Sequence, residues 1–167
     1  MNATELHDFD QQVDAMKAHV IQPIVMWPKL WSEFTTPAAH VWNWDSVPFQ
    51  RDYSDSVPND RHGIYTFAIA PGVAQHPLLY LVTYVGKADR MTLRARFLSY
   101  FNEKHSLKRP HIGRFLRHYE GFIMFSFCCV EESSTIPEIE DELINALLPP
   151  LCKELPAKVS AIRRAFA

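Results

Sequence analysis

GIYTFAIAPGVAQHPLLYLVTYVGKADRMTLRARF, residues 63–97, decides the reading of this chain. Two β-rich apolar runs stand in it, IYTFAIA at 64–70 and LLYLVTYV at 78–85. The segment PGVAQHP between them carries turn chemistry, so the pair is expected to form an antiparallel hairpin. The run TLRARFLSYFNEK at 92–104 has helical periodicity, with Leu93, Phe97, Leu98 and Phe101 on one stripe. Thr92 is placed to cap its N-terminus. An aromatic–glycine signature sits in each strand: Gly63-Ile64-Tyr65 in the first and Tyr84-Val85-Gly86 in the second.

Working outward, residues 110–119 form a second short basic helix, and GFIMFSFCCV at 121–130 reads as a third strand. Its nearly continuous apolar run suits a sheet centre. IPEIEDELINALL at 136–148 reads as a helix with Pro137 at its first position and Ile139, Leu143, Ile144 and Leu147 facing inward. Pro149-Pro150 ends it. A last helix is expected near 157–166. Upstream, Leu6, Phe9, Val13, Met16 and Val20 recur at spacings of three and four, which predicts an amphipathic helix over 4–21. Residues 22–62 hold five prolines and all four tryptophans of the chain. They read as an irregular layer whose aromatics cover the core. The predicted fold is α/β (α+β): a three-stranded, mainly antiparallel sheet flanked by helices. Residues 1–62 form an N-terminal extension, 63–155 the core and 156–167 a C-terminal helix.

The 167 residues suffice for one domain with a core, and 47% hydrophobic residues is a globular value. No apolar run approaches the ~18 residues of a membrane span. The acidic, polar start lacks the pattern of a secretory signal, so a cytoplasmic protein is expected and no membrane partner. Cys128, Cys129 and Cys152 show no CxxC spacing, which points to reduced thiols rather than a disulfide framework or a zinc site.

The net charge of −2 conceals a strong division. Residues 1–62 carry 4 Lys/Arg against 9 Asp/Glu, residues 63–118 carry 9 against 2, and residues 119–167 carry 4 against 8. The basic middle third also holds His105, His111 and His118 and the aromatics Phe97, Tyr100, Phe101 and Phe115. That composition suits a surface meeting phosphates, or a solvated face balancing the acidic thirds.

With these elements in order, residues 63–152 resemble the GIY-YIG nuclease superfamily. Gly63-Ile64-Tyr65 stands as its GIY element and Tyr84-Val85-Gly86 as its YIG element. The run YVGKADRMTLRARFLSYF is similar to the nuclease module of the bacterial excision-repair incision subunit, through Leu93, Arg96 and Tyr100-Phe101. Glu140, Leu143, Ile144 and Pro149 fill the family's E-x-x-L-I…P element. The resemblance implies a metal-dependent endonuclease acting on duplex or branched DNA. Tyr65 and Tyr84 would position or activate water, and Arg96 would stabilise the phosphate as an always-charged fork. Glu140 would bind one divalent cation, Mg²⁺ or Mn²⁺, as a hard oxygen ligand. Tyr100, which shares a helix face with Arg96, and Lys87 are secondary catalytic candidates. Lys87, Arg90, Arg94, Lys104, Lys108, Arg109, Arg114 and Arg117 would track the nucleic-acid backbone. An RNA or branched-junction substrate is a variant of the same reading. The alternative is a catalytically weak or inactive nucleic-acid-binding or protein-interaction module that keeps the fold.

Three departures from the family pattern stand out. Tyr65 and Tyr84 are 19 positions apart, with an extended loop between them. Two extra residues near Arg90-Met91-Thr92 make Arg94 a competitor of Arg96. Cys152 stands where many members carry asparagine, and a thiol bonds more weakly than an amide.

Overall fold

In the computed structural model, the residues described are 26–34, 41–72, 81–106 and 108–152. The helices expected over 4–21 and 157–166 lie outside them, as does most of the loop that joins the two signature strands.

The first elements are a short helix α1 (Pro28–Glu33), a strand β1 (Trp44–Pro48) and a 3-10 turn at Arg51–Ser56. The hairpin follows as β2 (Gly63–Ile69) and β3 (Leu81–Ala88). Helices α2 (Leu93–Glu103) and α3 (Pro110–His118) lead to β4 (Ile123–Cys129), and α4 (Ile136–Leu147) closes the order. Mixed α/β architecture is therefore observed. The sheet has four strands rather than the expected three, in the order β1-β4-β2-β3, and every neighbouring pair is antiparallel. The added strand comes from the N-terminal extension. β1 is an edge strand in which only Val47 is buried, so its sequence shows no alternation to read.

Side-chain alternation divides the sheet into two chemically different faces. Tyr65 is paired with Gly86 on β3 and Phe127 on β4, and Phe67 with Tyr84 and Phe125. These residues form an aromatic face, covered by Leu93, Phe97 and Tyr100 of α2 and by Ile112, Phe115 and Leu116 of α3. Ile64, Val85 and Val130 are packed with Ile136, Ile139, Leu143 and Ile144 of α4 in a second, aliphatic cluster. Truncating a buried aromatic such as Phe125 costs about 3–5 kcal/mol.

Local signals explain the element ends. Thr92 caps α2 by accepting a hydrogen bond from the Ala95 amide at 3.2 Å. α4 starts at Ile136, one residue before Pro137, so the proline stands at the second helical position. Leu148 takes a left-handed conformation, φ 47°, and its amide reaches back to the Ile144 carbonyl. The second strand, expected over 78–85, is described from Leu81 to Ala88, so it runs past the expected end and Gly86 lies inside it; residues 78–80 lie outside the described residues. The tryptophans split. Trp42 is packed against the aliphatic cluster, whereas Trp31 and Trp44 are 48% and 38% exposed, Trp44 stacked on Trp42 at 5.8 Å.

Candidate active site

Two steric facts account for the glycines of the signature. A Cβ on Gly63 would stand 2.1 Å from the Cys128 carbonyl oxygen, so the close approach of β4 requires glycine there. A Cβ on Gly86 would stand 2.4 Å from the Tyr65 hydroxyl oxygen and 2.8 Å from Cε1 of Tyr84. Gly86 is the gap into which both tyrosines lean.

Tyr65 is fully buried, and its hydroxyl lies 2.7 Å from that of Tyr100. Arg96 Nε donates to the same Tyr65 oxygen at 2.9 Å, and Nη2 reaches the Tyr100 hydroxyl at 3.4 Å. The Arg96 guanidinium lies 4.9 Å from the centre of the Tyr100 ring. Burial pushes the Tyr65 phenol well above its ordinary range, and the neighbouring Tyr100 and Tyr84 add to this. The Arg96 charge pulls the other way. Tyr65 is therefore a neutral phenol at pH 7. It holds Arg96 from beneath.

A cleft of about 570 Å³ opens at the C-terminal end of β3. Tyr84, Lys87, Asp89, Arg90, Arg96 and Glu140 are among its lining residues. Because β3 is an edge strand, groups from both faces of the sheet meet here. Tyr84 arrives from the aromatic face with Arg96 of α2, while Glu140 arrives on α4 from the aliphatic face. The structure thus brings four of the expected catalytic residues to one cleft, Tyr84, Lys87, Arg96 and Glu140, together with Arg90 from the expected nucleic-acid-binding set. Tyr65 and Tyr100 stand behind Arg96 rather than among the lining residues.

Glu140 is bonded to Lys87, Nζ to Oε2, at 2.8 Å, with only 14% of its side chain exposed. Burial pushes its carboxyl above the ordinary range, and Lys87 pulls it back. The bond to Glu140 raises the Lys87 ammonium in turn, against the effect of burial. This half-buried carboxylate suits a hard cation, since Mg²⁺ is commonly held by one or two carboxylates with waters and substrate phosphates completing its shell. Among the described residues no group of three or more His, Cys, Asp or Glu side chains could hold an ion by itself. Glu140 is the half-buried carboxylate that could hold such an ion, and Lys87 occupies its Oε2.

The two competing arginines go to different places, Arg96 into the cleft lining and Arg94 elsewhere. Arg94 Nε donates to the Val57 carbonyl at 2.8 Å, and its Nη atoms reach Asp55. It fastens α2 to the 3-10 turn, away from the cleft. Among the other basic residues, Lys104 is paired with Glu120, Arg109 with Glu103, and Arg117 donates to the Lys104 carbonyl. Arg90, Lys108 and Arg114 are exposed.

Cys152 also lies outside the cleft lining. Its sulfur accepts from the Val85 amide and donates to the Val85 carbonyl, both at 3.4 Å. One thiol serves both peptide groups, because sulfur can donate and accept weakly.

Sequence reasoning missed Glu103. It is bonded to Arg109, Nε to Oε2, at 2.7 Å, and its Oε1 lies 3.9 Å from Arg96 Nη1. The signal was present in the spacing: positions 96, 100 and 103 share one helix face. No protein-family model, curated protein or solved structure matches this chain.

Proposed function

We propose that this protein is a metal-dependent endonuclease of the GIY-YIG type that hydrolyses phosphodiester bonds in DNA. The observation that carries the reading is the meeting of Tyr84, Lys87, Arg96 and Glu140 in one cleft. Phosphodiester hydrolysis needs an oriented water, charge stabilisation at phosphorus and help for the leaving oxygen. Tyr84 presents a hydroxyl that accepts a hydrogen bond from the attacking water. Arg96, braced by Tyr65 and Tyr100, offers guanidinium N–H groups to the non-bridging oxygens. Glu140 would hold the divalent cation, which would supply positive charge to the reaction. Lys87 neutralises Glu140 in the free protein and is a second cation for the phosphate. Tyr65 contributes by fixing Arg96, since its burial keeps it from touching water directly.

Supercoiled plasmid incubated with Mg²⁺ or Mn²⁺ tests this. The wild-type protein nicks it, and Arg96→Ala or Glu140→Ala slows nicking by about 100-fold or more. DNA binding without nicking would sink the nuclease reading. It would favour a non-catalytic nucleic-acid-binding module, a role that the Lys87–Glu140 pair and the buried Tyr65 also suit. Cleavage undiminished in Glu140→Ala would show that the cation site is elsewhere. Linear, branched and single-stranded DNA and RNA, compared side by side, define the substrate class.

A further inference from the structure

Arg109 stands 13 residues beyond Arg96, at the N-cap of a different helix, yet it reaches the same aromatic group. Pro110 occupies the first turn of α3 and disfavours helical backbone at the residue before it. Arg109 accordingly takes φ −128° and ψ 73°, which fixes where its side chain starts. Its guanidinium then lies 5.2 Å from the centre of the Tyr100 ring. Glu103 grips the fork from one side, through Nε at 2.7 Å and through Nη2. The remaining nitrogen, Nη1, reaches the Tyr84 hydroxyl at 3.4 Å.

A repeated arrangement emerges. Arg96 serves Tyr65, and Arg109 serves Tyr84. The Tyr100 ring lies against both guanidiniums, and the Glu103 carboxylate is near both. We infer that Arg109 is a positioning residue for Tyr84: gripped by Glu103, it orients the cleft hydroxyl through Nη1, as Tyr65 braces the cleft-lining Arg96 through Nε. An arginine that only tracked DNA would keep its fork free for phosphate oxygens, whereas two of the three Arg109 nitrogens are committed to Glu103. Burial and Tyr100 raise the Tyr84 phenol, and the Arg109 charge opposes them. The catalytic consequence rests on the nuclease reading proposed above, but the contact itself does not.

The test therefore has two arms. In the first, the protein is labelled with ¹³Cζ-tyrosine, and the Tyr84 signal is identified by its loss in Tyr84→Phe. Arg109→Gln moves the Tyr84 resonance and leaves that of Tyr65 in place, while Arg96→Gln moves that of Tyr65. Glu103→Gln, which loosens the grip without removing the arginine, also moves the Tyr84 resonance. A Tyr84 signal unmoved in both Arg109→Gln and Glu103→Gln overturns the inference, whether or not the protein cuts DNA. In the second arm, Arg109→Gln lowers the kcat of plasmid nicking by about 10-fold, the effect of one charge-assisted hydrogen bond, with little change in KM. The same substitution in a Tyr84→Phe background causes no further loss. A raised KM with kcat retained, or an undiminished effect in the Tyr84→Phe background, marks direct phosphate contact and overturns the positioning role. If the wild-type protein does not nick, the nuclease reading fails and the first arm still decides the contact.

Discussion

Gly86→Ala is the substitution that probes the site most directly. The added Cβ would lie 2.4 Å from the Tyr65 hydroxyl oxygen, 2.6 Å from its Cζ and 2.8 Å from Tyr84 Cε1. Favourable carbon contacts begin near ~3.5 Å, so the Tyr65 tip must retreat by about 1 Å. It has nowhere easy to go. Its ring is stacked on Phe125 at 5.1 Å, and its hydroxyl is tied to Tyr100 and Arg96. Overpacking of this kind costs about 1–3 kcal/mol. For a chain of this size that lowers Tm by roughly 2–10 °C. A displacement of about 1 Å at a catalytic group can cost ~100-fold in rate, so nicking should fall far more than stability does. Urea midpoints and plasmid nicking, measured on the same preparation, give both quantities. Removing the offending oxygen in Gly86→Ala/Tyr65→Phe recovers part of the stability but not the activity, because Arg96 then lacks its brace. A Gly86→Ala protein within about 0.5 kcal/mol of wild type would refute the packing argument, since a change of that size is what an unconstrained surface site gives.

Three further outcomes are expected. Arg94→Ala lowers stability by about 1–3 kcal/mol through loss of its bonds to Val57 and Asp55, with kcat little changed, while Arg96→Ala, which loses its bonds to Tyr65 and Tyr100, lowers both; denaturation and nicking on the pair check this. At alkaline pH the buried Tyr65 keeps a proton that the unfolded chain releases near pH ~10, so stability is full below that pH and falls above it. The unfolding free energy from urea titrations between about pH 9 and 11 should fall less steeply in Tyr65→Phe, the difference in slope approaching about 1.4 kcal/mol per pH unit above pH ~10, and parallel slopes would contradict the buried phenol. Cys152→Ala costs about 1–3 kcal/mol by leaving the buried Val85 peptide groups unpaired; Cys152→Ser, which keeps a donor and an acceptor, costs less by chemical denaturation.

The elements that alternate or carry caps were legible in the sequence. β2 and β4 appear where the apolar runs lie, and Thr92 and Pro137 mark the starts of α2 and α4 to within a residue. β1 escaped because an edge strand need bury little. WDSVP shows one buried residue and ends in proline, which edges tolerate. For the site, the residue types Tyr84, Arg96 and Glu140 could be nominated from motif and register. That Tyr65 is sealed under Arg96 could not, because its burial is made by Tyr100 and Phe125 from other elements. Nor could the choice between Arg94 and Arg96, since the acceptors that claim Arg94 lie in an irregular turn with no periodic signal.

The thiol on Val85 has a consequence beyond the cleft. Alternate peptide groups of an edge strand point outward, where another strand could pair with them. On β3 the Thr83 carbonyl accepts from the Leu151 amide at 3.0 Å, and both Val85 groups are bonded to Cys152. The segment after α4 thus acts as a selvedge on this margin of the sheet. It covers Thr83 and Val85, the middle of the strand whose far end opens into the cleft, so the backbone that carries Tyr84 between them is tied down from its outer side as well as by β2.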